Sequence, residues 1–476
     1  MAGPERVPLA RDLGVDRGIT MQTEGAVSAR VNLTELLENT PVGKMHVRIF
    51  VLCMACLIMD GFDVQAMGYV APAVLADWGI ERSAMGPVFV AANFGVLLGS
   101  LVFSMLADKI GRRPVIVWAT VFFSVMTIAT AYAQNLEQLL LLRFIAGIGL
   151  GSIIPNATAL IGEFSPKASR VTFVMCITVG FTIGAAIGGF VAAWLIPAFG
   201  WRSVFIFGGV VPLVIALFMM WGLPESLQFL AVRKRRLDLL ARWLKELVPS
   251  LRVDASTQYV ANETSKGGVP FWHLFREGRA VFTVLLWIVN FMNILMLYSL
   301  SNWLPTLVTG MGYDQQTAVL VSTLLQVGGA IGTFGLAWVI ARRGFLPVLL
   351  ASFAVAAVST ALIGQPGLSL TLLSVVVFVA GWCVVGGQPG LNAMSASYYP
   401  TYLRATGVGA GLGVGRIGAI VGPGIAGVLI GRQWGSEELF YAAAAPAVIS
   451  TVVILLMRGV YKENVPARGA PAPLAH

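Results

Sequence analysis

Charge is scarce in this chain. Asp, Glu, Lys and Arg make up 12% of its 476 residues and 57% are hydrophobic, with a mean hydropathy of +0.81; a soluble domain carries about 25% charge. That balance excludes an ordinary soluble protein and requires a polytopic membrane protein. Histidine is almost absent: His46, His273 and His476 all fall outside the helix interiors, so acids rather than imidazoles are left to carry protons within a membrane. Cysteine numbers four. Cys53 and Cys56 have redox or metal spacing, but they lie in an apolar helix and Cys176 and Cys383 form no second pair, so neither a disulfide nor a metal is expected. No Walker-type phosphate loop occurs, which argues against an ATP-driven pump. No cofactor is expected.

What is present is apolar and long. Stretches able to span a bilayer run at roughly 48–75, 84–107, 114–133, 136–162, 168–194, 203–222, 280–305, 316–341, 346–364, 369–397, 405–431 and 438–459, each near or above the ~20 residues a span needs. They predict an all-α polytopic membrane protein of twelve transmembrane helices in two six-helix halves, 44–222 and 280–460. Residues 1–43 are polar and lack the apolar core of a signal peptide; they read as a tail, with Met21 an alternative start. Residues 223–279 form a central loop, in which 236–247 reads as an amphipathic helix. Residues 461–476 form a second tail, its Pro/Ala-rich end expected to be disordered.

The net charge of +9 is not a nucleic-acid footprint, because its distribution is one-sided. Of 32 Lys and Arg, Arg143 and Arg416 lie within helices and Arg82, Arg202 and Arg432 in one set of alternate loops; the other 27 fall on the opposite side. Positive loops stay cytoplasmic. Both termini and the central loop are therefore expected inside.

An internal repeat is legible. At an offset of 233, Pro72, Gly79, Gly111 and Pro114 map to Pro305, Gly312, Gly344 and Pro347; at 234, Pro155, Pro166, Arg170, Gly184 and Gly188 map to Pro389, Pro400, Arg404, Gly418 and Gly422. Two similar six-helix halves around a central path describe an alternating-access transporter with a midplane substrate site. Glycines recur in helix 5 (Gly180, Gly184, Gly188, Gly189) and helix 11 (Gly411 to Gly427). They permit close packing, either within a half or on surfaces where the halves rock.

Asp60 and Asp63, within the first span, are the chemically informative residues. An Asp at a helix centre costs roughly 2.5–3.5 kcal/mol on insertion scales, so an intramembrane acid marks a relay or cavity. Their i, i+3 spacing places both on one face. Depth counting puts Asp63 about 13 Å and Arg143 about 10 Å below the outer surface, close enough to pair, and Arg416 and Gln388 about 13–15 Å from the inner surface. A midplane cation and amide suit an organic carboxylate; the alternative is that both arginines brace helices. At the repeat offset Asp60 maps to Asn293 and Asp63 to Met296. Proton coupling is thus expected in the first half and much of the recognition in the second, where Trp287, Asn290, Asn293, Tyr298, Gln326 and Gln388 are candidate cavity groups.

Asp108-Lys-Ile-Gly-Arg-Arg-Pro114 resembles the loop motif of the major facilitator superfamily, with Ser104 in place of its leading Gly and a second copy, Ala341 to Pro347, that lacks the acid. A gating role is expected for Asp108, Gly111 and Arg112. Asp60-Gly-Phe-Asp63 followed by Ala66 to Pro72, Arg143 to Gly151 continuing through Pro155-Asn156 to Glu163-Phe-Ser-Pro166, and Asn302-Trp-Leu-Pro-Thr306 resemble the aromatic acid:proton symporters of that superfamily over about 44–460. Leu223-Pro-Glu-Ser226 is shared with sugar and other porters. The resemblance implies a bacterial inner-membrane carrier of 4-hydroxybenzoate, protocatechuate or a related benzoate. It also implies functional charges at Asp60, Asp63, Arg143, Glu163, Arg404 and Arg416. Importing an anion against an inside-negative potential costs about 2.3 kcal/mol per 100 mV, which one proton cancels. The expected partners are an aromatic carboxylate, protons and lipid, with no nucleic acid and a monomeric state. The alternatives are proton-coupled transport of another metabolite, drug efflux, or a membrane sensor.

Overall fold

A computed structural model describes residues 30–233, 236–248, 258–260 and 271–460. The long helices of the first group are α2 (Lys44–Trp78), α3 (Met85–Ile110), α4 (Arg112–Thr130), α5 (Leu136–Leu150), α6 (Ile153–Phe164), α7 (Arg170–Phe199) and α8 (Arg202–Gly222). Those of the second are α11 (Ala280–Gly310), α12 (Gln315–Arg343), α13 (Phe345–Ile363), α14 (Leu370–Tyr398), α15 (Thr401–Gly431) and α16 (Ser436–Met457). Among the described residues, eleven helical stretches are long and apolar enough to cross a membrane. The 35-residue α2, which carries Asp60 and Asp63, makes the twelfth long helix.

The span expected at 136–162 is broken into α5 and α6 around Gly151 and Ser152. Gly151 is pressed against α3, where a Cβ would come 2.1 Å from the Val96 carbonyl oxygen, and Pro155 follows in the first turn of α6, where its missing N–H is harmless. Helix starts follow side-chain capping: Asn135, Asp314 and Ser369 accept the N–H groups of Gln138, Thr317 and Leu372, satisfying donors a helix leaves free. The repeat reappears in the backbone. Gly79 and Gly312 both have positive φ (61° and 98°), as do Gly111 and Gly344 (105° and 80°), a conformation that penalises any residue with a Cβ.

Residues 30–43, 223–233, 236–248 and 258–260, from the stretches expected as polar tail and loop, fold onto the first group. β1 (Arg30–Asn32) pairs in parallel with β2 (Gln258–Val260), the one departure from an all-helical chain among the described residues. α1 (Leu33–Asn39), α9 (Leu227–Arg233) and α10 (Leu237–Leu247) bury Leu33, Leu37, Leu230, Leu240, Trp243 and Leu244 against Met45, Ile49 and Phe164. α10 is the expected amphipathic helix. Arg48 of α2 bonds Glu246 at 2.8 Å and stacks over Trp243. Met21 and the Pro466–His476 tail lie outside the described residues.

Contacts between the groups run through α7 with α12, α3 with α15, and α2 with α11 and α12. They concentrate at the end away from Lys44 and Met457. There Gly86 of α3 meets Gly427 of α15, a Cβ on Gly189 of α7 would collide with Thr323 of α12, and the rings of Phe89 of α3 and Trp303 of α11 meet edge to face at 5.1 Å. The glycines therefore divide. Gly180, Gly184 and Gly188 seat α7 on Met54, Ile58 and Phe62 of α2, and Gly418 and Gly422 seat α15 on α11; Gly189, Gly424 and Gly427 reach across the groups.

Candidate functional site

α2 supplies two carboxylates that have opposite surroundings. Asp63 is fully buried: Arg143 of α5 donates to its Oδ2 at 2.6 Å and its Oδ1 at 3.3 Å, and Thr127 of α4 donates to Oδ1 at 2.8 Å. The fork-like guanidinium matches the carboxylate plane, and the Phe205 ring covers it at 5.5 Å. Asp60, one turn away, is 2% exposed, and its Oδ2 has no partner among the described residues. It lines a small cavity with Tyr298 of α11 and Arg416 of α15. Arg416 donates to the Tyr298 hydroxyl at 3.5 Å and lies within electrostatic reach of Asp60. A carboxylate from the first group thus faces a cation and a phenol from the second. Close backbone packing positions α2, since Gly61 is pressed on Phe181 of α7, where a Cβ would come 1.9 Å from the carbonyl oxygen.

The other candidates fall into three places. Gln388 joins an amide cluster, accepting from Asn293 at 2.7 Å and donating to Asn290 and Asn392 at 3.0 and 3.2 Å; no hydrogen bond among the described residues joins it to Arg416. Gln326 lies toward the end where the groups close, donating to Ser301 at 3.0 Å and to Gln65 at 3.3 Å, while Gln65 donates to the Ser301 carbonyl at 2.5 Å. Trp287 packs against Phe271 and Phe275 near the start of α11.

The gating candidates gather at the termini-bearing end. Glu163 bonds Arg112 at 2.7 Å, which places it with the loop motif and apart from Asp60 and Asp63. Glu225 accepts the N–H groups of Arg112, Arg113 and Ser226, capping α4. Burial holds the Glu225 carboxyl above the ordinary Glu range, against the pull of those bonds. Gly111 is obligatory beneath it: φ is +105° and a Cβ would stand 2.3 Å from Glu225 Oε2. Asp108 is exposed, its carbonyl accepting from Arg233, and Arg404 is exposed in the first turn of α15. Sequence reasoning assigned no role to Thr127, Gln65, Asn93 or Glu225. The signal for Asn93 is a lone amide in an apolar run, for Gln65 its place two residues after Asp63 in the same span, and for Glu225 the Leu-Pro-Glu-Ser stretch.

Residues 53–411 and 286–476 match the profile of the Major Facilitator Superfamily. The chain is 36% identical over 436 residues to a 4-hydroxybenzoate transporter of Pseudomonas putida, covering 91% of this chain and 97% of that one. It is 37% identical over 446 residues to a gallate transporter of the same species, covering 94% and 99%. Among solved structures, a bacterial homolog of the human lysosomal transporter Spinster, inward-facing and occupied, superposes with a TM-score of 0.69 at 15% identity over 90% of this chain and 100% of that one. A D-xylose-proton symporter does so at 0.68 and 14% over 88% and 98%.

Proposed function

The chain belongs to the major facilitator superfamily, and from that premise we propose that it imports an aromatic carboxylate, 4-hydroxybenzoate or a related benzoate, by proton symport through alternating access. It is a transporter and not an enzyme. The observation that carries the reading is the meeting of Asp60 with Arg416 and Tyr298 across the two groups of helices. Arg416 is a cation able to take the substrate carboxylate, Tyr298 can donate to it or face its ring, and Asp60 is a buried acid with a free oxygen to exchange a proton.

In the proposed cycle the anion competes with Asp60 for Arg416. Two anions around one buried cation disfavour a charged Asp60, so substrate binding favours its protonation and proton and substrate travel together. The cavity they line, about 10 Å³, holds roughly one water, so the substrate is admitted by separation of the helices. One-sided placement of Lys and Arg supports a bacterial inner-membrane orientation with both termini in the cytoplasm. The closed end then faces outward, with the Gln65–Ser301–Gln326 contacts as its clasp.

The test is uptake of labelled 4-hydroxybenzoate into proteoliposomes under an inward proton gradient, with and without a protonophore. Accumulation that requires the gradient supports the reading; gradient-independent equilibration or export of the acid rejects it.

A further inference from the structure

Two cavities along α2 share four lining residues, Val64, Asn93, Val96 and Leu150. The first, about 10 Å³, reaches Asp60, Tyr298 and Arg416; the second, about 20 Å³, reaches Arg143 and Asn302. A void of about 10–15 Å³ admits a water if two to four polar atoms face it. Such atoms are at hand: Asp60 Oδ2, Arg143 Nε and Asn302 Nδ2 are buried and without partners among the described residues. Leaving each unsatisfied costs about 1–3 kcal/mol, which a bridging water relieves. Asn93 alone of the four shared residues is polar. It spends its Nδ2 on the Phe89 carbonyl of its own helix at 2.9 Å, which leaves Oδ1 free to accept from water at the junction.

We infer that Asn93 positions a short file of buried water joining Asp60 to the Arg143–Asn302 cavity, and that this file is the proton route to Asp60. The inference rests on the proton-symport reading. In each transfer the terminal water gives one proton to the Asp60 carboxylate and takes one from the water behind it, so one O–H bond forms for each that breaks. The charged and titratable groups around the file are Asp60 and Asp63 from α2, Arg143 from α5, Tyr298 from α11 and Arg416 from α15. Asp63 neutralises Arg143 through its bidentate contact, so an arriving proton does not meet an unpaired cation. Asn93 neither gains nor loses a proton. It is a positioning residue.

The test separates water from structure. Asn93→Leu fills the junction with methyl groups; Asn93→Ala deletes the same amide but leaves room for an additional water. In proteoliposomes with an internal pH dye, wild type should accumulate labelled 4-hydroxybenzoate and take up protons, and Asn93→Ala should do both at an intermediate rate, since an added water stands in for the lost amide oxygen without its fixed position. Asn93→Leu should lose about tenfold of the gradient-driven rate, equivalent to roughly 1.4 kcal/mol in the barrier, while substrate exchange at zero gradient persists. Should Asn93→Leu fail to fold, the smaller apolar Asn93→Val takes its place. Full gradient drive in the apolar variant overturns the inference, and so does an equal loss in Ala and Leu, which would make the amide a structural brace. If wild type itself shows no gradient drive, the symport reading has failed along with the inference; gradient drive in wild type and in Asn93→Leu alike removes the water file alone.

Discussion

Asp60 and Asp63 stand three residues apart on one face of α2, yet one is saturated with hydrogen bonds and the other has a buried oxygen with none. The difference comes from the neighbours: Thr127 and Arg143 converge on Asp63 from α4 and α5, while Asp60 faces Arg416 and Tyr298 across a small void. The two carboxylates should therefore fail differently. Asp60→Asn keeps size but cannot cycle a proton, so uphill uptake should collapse while exchange survives and folding is unchanged. Asp63→Asn strands Arg143 in a buried site, a loss of about 3–5 kcal/mol, and should lower thermal stability in detergent. Replacing both partners, as Asp63→Leu with Arg143→Met, should recover most of that stability. Equal melting behaviour of the two Asn variants would contradict this division.

Arg416→Ala should weaken apparent affinity for 4-hydroxybenzoate by roughly tenfold or more, the scale expected when one partner of a desolvated charge pair is removed. Lys should rescue in part, since it keeps charge but not the planar fork. Size-exclusion profiles control for folding, and a neutral ring analogue should compete equally well before and after the change. Normal affinity in a well-folded Ala variant would take Arg416 out of the site.

Much of this arrangement is legible along the chain because lipid imposes long apolar helices and makes every interior charge conspicuous. Depth counting alone pairs Asp63 with Arg143, since both are charged, both lie inside a span, and only a few residues separate their levels. It does not pair Gln388 with Arg416, because equal depth says nothing of azimuth: Gln388 turns to Asn290 and Asn293, Arg416 to Tyr298. Glu163 is read beside Asp60 and Asp63 only through resemblance, and its bond to Arg112 assigns it to the loop cluster. Asn93 and Gln65 escaped notice because a single amide within a span is most often a helix-packing residue. Their partners, Phe89 O for one and Ser301 O for the other, emerge only in three dimensions.

Glu225 offers a pH signature outside the spans. Burial raises its carboxyl above the ordinary range, so the folded protein binds this proton more tightly than the unfolded chain. The contribution to stability is complete below the unfolded value, about 4.3, and is lost as pH rises through the raised folded value. Glu225→Gln keeps an acceptor for the Arg112, Arg113 and Ser226 N–H groups but cannot ionise. Its melting temperature relative to wild type should climb across that window and then level off. A difference that stays constant with pH would show that ionisation of Glu225 has no bearing on stability.

Gly184 tests the packing of α7 on α2. A Cβ there would stand 1.8 Å from the Ile58 carbonyl oxygen, whereas Gly162 faces open space. Gly184→Val should cost more than the ~1–3 kcal/mol usual for overpacking, because backbone rather than a side chain must move, and should abolish a monodisperse protein. Gly162→Ala should be neutral or slightly stabilising, as Ala is the better helix former by about 1 kcal/mol. Comparable behaviour of the two variants would mean that α2 and α7 are not held at this distance.

Gln65 bridges the groups of helices through two contacts, donating to the Ser301 carbonyl and accepting from Gln326. Gln65→Ala removes both and leaves the Ser301–Gln326 bond, which lies wholly within the second group. With each hydrogen bond contributing about 0.5–1.5 kcal/mol, the closed end should open roughly five- to a hundredfold more often. A cysteine introduced at Thr323, which is buried where α12 meets Gly189 of α7 across the groups, should then react faster with a thiol reagent, read against a background in which the four native cysteines are replaced. Gln326→Ala should show a smaller increase, since it breaks one cross-group contact rather than two. An unchanged reaction rate in Gln65→Ala would mean that the backbone contacts of Gly68 with Ser301 and Asn302 and of Gly86 with Gly427 hold that end shut without the amide.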